Sequence, residues 1–318
     1  MKKLLAFLLV IACIAASFLW RAVNQALFQP LPYTKALTFD LKKGTSAQSV
    51  AKELVQKNLA PHPIFVRLAM RFYDFDKNLK AGEYLLEPQM SLKDILQKLT
   101  SGKVIIHKIT LVEGLTTAQM LALIEKNKLL SGNITEHPTE GELLPETYTF
   151  TKGEAKNAII QRAKKQMQKT LDIAWQNRAK NLPLQNKEEL LILASLIEKE
   201  TGINSERSKV ASVFYNRLNV NMPLQTDPTV IYALTLGQST LNRSLKHKDL
   251  EIDSPYNTYK YKGLPPTPIC NPSVLAIQAA ANPENTPYFY FVADGNGGHR
   301  FAKSLTEHNQ NIRLWLKK

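Results

Sequence analysis

The chain has 318 residues, 44% hydrophobic and 21% charged, an ordinary globular mixture long enough for about two domains. Lys and Arg number 41 against 27 Asp and Glu, a net charge of +14 that favours an anionic partner without choosing among nucleic acid, an acidic membrane face and an acidic polymer. Only two cysteines occur, Cys13 inside an apolar run and Cys270 alone in PPTPICNPS, so a disulfide framework is excluded.

The chain opens with Lys2 and Lys3, an uncharged run over 4–20, and Arg21. At about 1.5 Å per residue that run is near the lower limit for a spanning helix. The positive start predicts a cytoplasmic N-terminus with the remainder outside, and Trp20 suits an interface. Two rivals are a cleaved signal peptide exiting at AAS and a lipoprotein signal ending at Cys13. The apolar run continues through Phe18, Leu19 and Trp20, which favours an uncleaved, single-pass anchor over 1–21.

Residues 22–35, with two prolines, read as a short linker. Over 36–103 the pattern predicts a strand near 37–41, a helix capped by Ser46, a helix over 63–74, a short strand in AGEYLLEP, and a helix from Ser91 to a Gly102 stop. This small α/β module carries no catalytic constellation, so it reads as a binding or spacing unit. Over 104–318 the expectations are a strand in KVIIHKITLVEG, a helix in TTAQMLALIEKN, an irregular EGELLPETYTF, and a long helix over 154–179. Further helices follow in LLILASLIEKE, from Ser205 to Leu218 and over 273–281. A region rich in Pro, Tyr and Asn fills 219–272, and two strands flank the Gly-rich turn of YFYFVADGNGGHRFAKS. Strands and helices are not regularly alternated, so the fold class is α+β.

The helix LLILASLIEKE ends in acids, at the terminus where acids are disfavoured. Leu190, Leu193, Ala194 and Ile197 form a stripe at spacings of three and four, and the next step is Glu200. Glu198 continues the neighbouring row. A left-handed turn at Gly202 is expected to end the helix. The helix dipole and burial both push a carboxyl there upward, which suits a general acid. The plainer reading is a solvated helix end whose acids pair with Arg207 and Lys209. Downstream, PLQTDPTVIY puts Gln225, Thr226 and Asp227 in a turn before a helix. The irregular SPYNTYKYKG offers Tyr256, Asn257, Thr258, Tyr259 and Tyr261. Rings that pack on pyranose faces and amides or hydroxyls that bond sugar polar groups are the parts of a carbohydrate groove; tyrosines packing loops onto a core are the alternative.

Six histidines show no HExxH or other metal spacing, the Gly-rich DGNGGH precedes a strand and not a helix, and GxSxG is absent. No cofactor or metal is expected. Basic residues are scattered without a recognition helix, which argues against nucleic acid.

Five blocks, ASLIEKETG, SERSKVASVFYNRL, MPLQTDPTVIYAL, YNTYKYKGLPPTPICNPS and TPYFYFVADGNGGHRFAKSLTEHN, resemble in order the endolytic murein transglycosylase family. The upstream module and anchor resemble that family's LysM-like module and N-terminal segment. The resemblance implies a lyase held in the inner membrane through residues 4–20 with its catalytic domain, 104–318, in the periplasm. It implies action on peptidoglycan glycan strands, cleaving the β-1,4 MurNAc-GlcNAc bond to 1,6-anhydro ends, and synthase partners that no stretch here identifies. The family's essential glutamate falls on Glu200, with Gln225, Thr226, Asp227, Tyr256, Asn257, Thr258 and Tyr259 as candidates for holding sugar. One departure is visible: Glu142 and Glu146 stand where the family has an apolar residue and an aspartate. A lysozyme-like hydrolase using Asp227 and a non-catalytic glycan-binding scaffold are the competing functions.

Overall fold

The computed structural model describes residues 2–316, with side chains from Phe7 onward. The chain divides into two compact units, residues 1–107 with 151–153 and residues 108–150 with 154–318.

The first unit begins with α1 (Lys2–Phe28). Its stretch Phe7–Phe28 is long and apolar enough to cross a membrane, with a mean hydropathy of 1.9. The helix does not stop at Arg21, where the sequence suggests a linker. It runs on because Leu27 is buried in the unit's core and Val23 packs against it. Then come β1 (Leu37–Leu41), α2 (Ala47–Gln56), α3 (Pro63–Phe72), β2 (Gly82–Leu86) and α4 (Leu92–Ser101). β1 and β2 pair antiparallel with Phe39 opposite Tyr84. Strand alternation sends Phe39, Leu41, Tyr84 and Leu86 to one face, where Val50, Leu54, Met70 and Ile95 cover them. Ser91 and Asp94 form a reciprocal capping box, and Gly102 ends α4 in the left-handed region at φ 75°.

The second unit contains β3 (His107–Thr110), α5 (Thr117–Lys126), β4 (Thr147–Phe150), α6 (Lys156–Gln176), α7 (Lys187–Glu200) and α8 (Arg207–Asn219), the last entered through a 3-10 turn at Asn204–Glu206. It continues with α9 (Asp227–Thr235), a second 3-10 turn at His247–Glu251, α10 (Val274–Ala281), β5 (Tyr290–Ala293), β6 (His299–Ala302) and α11 (Leu305–Leu316). β3 pairs with β4, and β5 with β6 as an antiparallel hairpin. Part of the EGELLPETYTF block is therefore a strand, because Tyr148 and Phe150 alternate into a core with Ile109 and Ile160. α11 lies beyond the elements expected from the sequence.

α7 is the centre of this unit. Every residue from Leu190 to Ile197 is buried, against α6, α8 and α10. A near-continuous apolar run is what a helix surrounded on all sides requires. Each buried Leu or Ile contributes about 1.5–3 kcal/mol, so the position of the helix is heavily determined. Asn186 caps it, accepting from the Glu189 amide at 2.9 Å. It ends directly at Glu200: Thr201 is extended, at φ −143° and ψ 131°, and Gly202 is not left-handed as the sequence suggests. The buried helix thus delivers one carboxylate at its last residue with no turn between them.

Candidate active site

The two acids at the end of α7 have separate environments. The Glu198 side chain is buried and spent on structure. Its Oε1 accepts from Arg207 at 3.1 Å, and its Oε2 accepts from the Ser273 amide at 2.8 Å and from the Ser273 hydroxyl. Ser273 is the N-cap of α10, so Glu198 ties α7 to the starts of α8 and α10. Cys270 is likewise structural: it is buried, its thiol donates to Ser195 O at 3.4 Å, and burial pushes the thiol up.

Glu200 opens onto a cleft of about 560 Å³. Its Oε1 accepts from the Thr226 hydroxyl. Thr226 is the N-cap of α9, yet its side chain does not cap that helix. The hydroxyl is turned to Glu200 instead, while the Thr226 amide donates to Thr258 Oγ1 at 3.1 Å and its carbonyl accepts from Thr229 Oγ1 at 2.7 Å. Burial pushes the Glu200 carboxyl up, the Thr226 hydroxyl opposes that, and the Asp227 charge adds to it; His299 and Arg217 favour the ionised form. Burial wins, so the group is biased to hold its proton. An acid held this way, at a cleft wall, can protonate a leaving oxygen and afterwards accept a proton.

Five of the residues singled out from the sequence meet around this cleft: Glu200, Gln225, Thr226, Asp227 and Tyr259. Gln225 is exposed and its backbone is left-handed, at φ 50°, with its amide donating to Thr258 O at 3.1 Å. Asp227 Oδ1 accepts from the Tyr259 hydroxyl at 2.6 Å. Burial and that acceptor push the Tyr259 phenol up, so it remains a donor.

Tyr256, Asn257, Thr258 and Tyr261 do not line the cleft. Asn257 is fully buried; its amide donates to Leu250 O and Ile252 O at 2.8 and 2.9 Å, and its Oδ1 accepts from the Tyr259 amide at 3.0 Å. It is a loop brace. Thr258 is buried and supports Thr226 and Thr229 from behind. Tyr256 packs its ring on Tyr232, with centroids 4.9 Å apart, and bonds Thr267 at 2.8 Å. An irregular, polar stretch conceals which of its side chains are consumed in holding the loop's own backbone.

Sequence reading missed the rest of the lining. Arg217 is buried, with its guanidinium donating to Phe289 O at 2.7 Å, Leu224 O at 2.7 Å and Pro223 O at 3.2 Å. It locks α8 to the two strands of chain that border the cleft. Tyr290, Phe291 and Val292 of β5 and Leu305, His308, Ile312 and Trp315 of α11 complete the lining. The signal was present. Ser304 and Glu307 have the spacing of a capping box, and the Glu307 amide does donate to Ser304 Oγ at 3.2 Å. Glu142 accepts from the Thr139 amide at 3.0 Å and pairs with Lys164 at 3.2 Å, and Glu146 accepts from the Thr147 amide at 2.9 Å; none of these lines the Glu200 cleft. Among the described residues no group of His, Cys, Asp and Glu is arranged to hold a metal ion.

Comparison with known proteins places these features in context. The sequence profile of the YceG-like family matches residues 39–314. A Bacillus subtilis (strain 168) protein named endolytic murein transglycosylase is 34% identical over 93% of this chain and 89% of its own length. A Streptococcus pneumoniae (strain R6) protein of the same name is 30% identical over 87% of this chain, which spans only 58% of that longer relative. The crystal structure of a yceG-like protein from Listeria monocytogenes is 32% identical, with a TM-score of 0.54 over 87% of this chain and 99% of that one.

Proposed function

The chain belongs to the YceG-like family, and from that premise we propose that it is a lyase, a lytic endotransglycosylase that cuts the β-1,4 MurNAc-GlcNAc bond of peptidoglycan glycan strands. The observation that carries this reading is the carboxyl of Glu200, raised by burial and placed at a cleft beside the Thr226 hydroxyl. Protonated Glu200 gives its proton to the departing glycosidic oxygen as the C1–O bond breaks and positive charge grows at C1. The resulting carboxylate takes the proton of the same muramoyl sugar's C6 hydroxyl, and that oxygen bonds C1 to leave a 1,6-anhydro end. Water is not consumed, and Glu200 returns to its starting state. Gln225, Thr226 and Tyr259 position sugar, while Asn257, Thr258 and Tyr256 hold the loop that presents them. Internal cleavage of nascent strands in this way ends their elongation.

In the same reading, α1 spans the inner membrane once, its N-terminus is cytoplasmic and the rest is periplasmic. The strand-helix-helix-strand order of β1 to β2 supports a LysM-like module. Synthases that make the strand are the partners this activity calls for. A second reading, lysozyme-like hydrolysis, draws on Asp227, which lines the same cleft; it requires a second carboxylate, as the nucleophile of a retaining enzyme or as the base that activates water in an inverting one. Against it, the Tyr259 hydroxyl holds one Asp227 oxygen at 2.6 Å. Mass spectrometry of the products separates the two. Anhydro ends from the wild type and none from Glu200→Gln are expected; reducing ends lost in Asp227→Asn establish the hydrolase, and a wild-type protein that binds strands without cutting them establishes a scaffold.

A further inference from the structure

Leu305, His308, Ile312 and Trp315 recur along α11 at spacings of three, four and three, so they form one stripe of the helix. That stripe lines the cleft of Glu200. A stripe that closed a core would be buried. Here no described residue of α11 is buried, and Leu305 and Trp315 are 56% and 44% exposed. The stripe is a wall with open space in front of it.

Two groups on the wall call for a ligand. The His308 ring stacks on Tyr290, with centroids 5.1 Å apart and planes at 25°, which fixes its orientation. Its Nδ1 is nevertheless buried and has no hydrogen-bond partner among the described residues. That atom is closed to the cleft, whereas Nε2 is not buried and has no hydrogen-bond partner among the described residues, so Nε2 is the ring nitrogen a ligand can reach. Burial and the neighbouring Arg217 charge push this imidazole down, so the ring is neutral and offers one donor and one acceptor. Trp315, two turns further on, presents a large ring to the same cleft. Such a ring is amphipathic: its face takes an apolar surface such as the C–H face of a pyranose, while its edge carries a donor.

We propose that α11 carries a sugar subsite of the Glu200 cleft, in which the Trp315 indole packs on a pyranose face and His308 Nε2 bonds a hydroxyl or N-acetyl group of the bound strand. This rests on the glycan-cutting reading above.

The test uses the full-length protein in nanodiscs, carrying Glu200→Gln so that nothing is cut, and stem-free glycan strands as the probe in calorimetric titrations. Trp315→Ala should weaken binding about tenfold and Trp315→Phe should restore most of it. His308→Phe keeps a ring to stack on Tyr290 but removes both nitrogens, and should weaken binding several-fold. With Glu200 intact, Trp315→Ala should raise KM more than it lowers kcat. The half-exposed indole supports no core, and circular dichroism checks that the variants are folded. Trp315→Ala and His308→Phe proteins that bind as tightly as their parent overturn the subsite, as does a parent that binds no strand. A wild-type protein that leaves strands intact, or a Glu200→Gln protein that cuts them, overturns the reaction and leaves the binding result to be judged by itself.

Discussion

Consider two substitutions two residues apart, Glu198→Gln and Glu200→Gln. The Glu198 and Arg207 side chains are 5% and 3% exposed and 3.1 Å apart. Removing one charge of a buried pair strands the other, at a cost of about 3–5 kcal/mol. Arg207 would retain Asn204 and the half-exposed Glu113 at 3.8 Å, which places the expected loss at the lower end, about 3 kcal/mol. The unit that contains both acids has about 200 residues, a size at which each kcal/mol moves the melting midpoint about 2–4 °C. Glu198→Gln should therefore lower the midpoint by about 6–12 °C. Glu200→Gln removes a carboxyl whose charged form burial already disfavours, so the midpoint at neutral pH should hold or rise. Thermal melts of the full chain followed by circular dichroism, paired with strand-cutting assays at low temperature, give four numbers. The reasoning requires Glu198→Gln to be unstable with chemistry retained, and Glu200→Gln to be stable without chemistry. A Glu198→Gln midpoint within about 2 °C of wild type would refute it.

The Thr226 hydroxyl favours ionised Glu200, so Thr226→Val should raise the carboxyl further and move the alkaline limb of the pH–rate profile upward; an unmoved limb would show that Glu200 is not the group being titrated. The stability counterpart has a fixed sign. The folded Glu200 lies above its unfolded range, so its contribution is complete below that range and is lost as pH rises through the folded value. Wild type should accordingly lose stability relative to Glu200→Gln across that window, as measured by urea titration at successive pH values. Gly141→Ala should cost about 1–3 kcal/mol, because φ is 85° and a Cβ would sit 2.7 Å from Pro268 Cγ and 3.2 Å from Leu191 Cδ2. A lowered urea midpoint at unchanged slope checks it.

Much of this arrangement was legible in the residues themselves. The capped helices of the first unit follow from Ser46, Ser91 and Gly102, whose signals are local and strong. The apolar run before Glu200 required a buried helix, and the step from Ile197 to Glu200 pointed that acid at a cleft. What stayed hidden depends on partners distant in sequence. Glu198 looks equivalent to Glu200 until Ser273, 75 residues on, claims its carboxylate. Asn257 looks like a sugar ligand until Leu250 and Ile252 use both its amide hydrogens. The stripe Leu305–His308–Ile312–Trp315 is faint as a helix signal because a histidine and exposed positions interrupt the apolar count.

The entry of α1 into the first unit as one unbroken helix has a mechanical meaning. Leu27 is seated in the unit's interior and Val23 against it, while the exposed stretch ends only at Ala22. No swivel separates rod from body. Inserting one residue between Arg21 and Val23 would rotate the unit about 100° around the rod and lift it about 1.5 Å. For an anchored protein, those few residues therefore dictate azimuth and standoff together, where a flexible tether would fix only the reach.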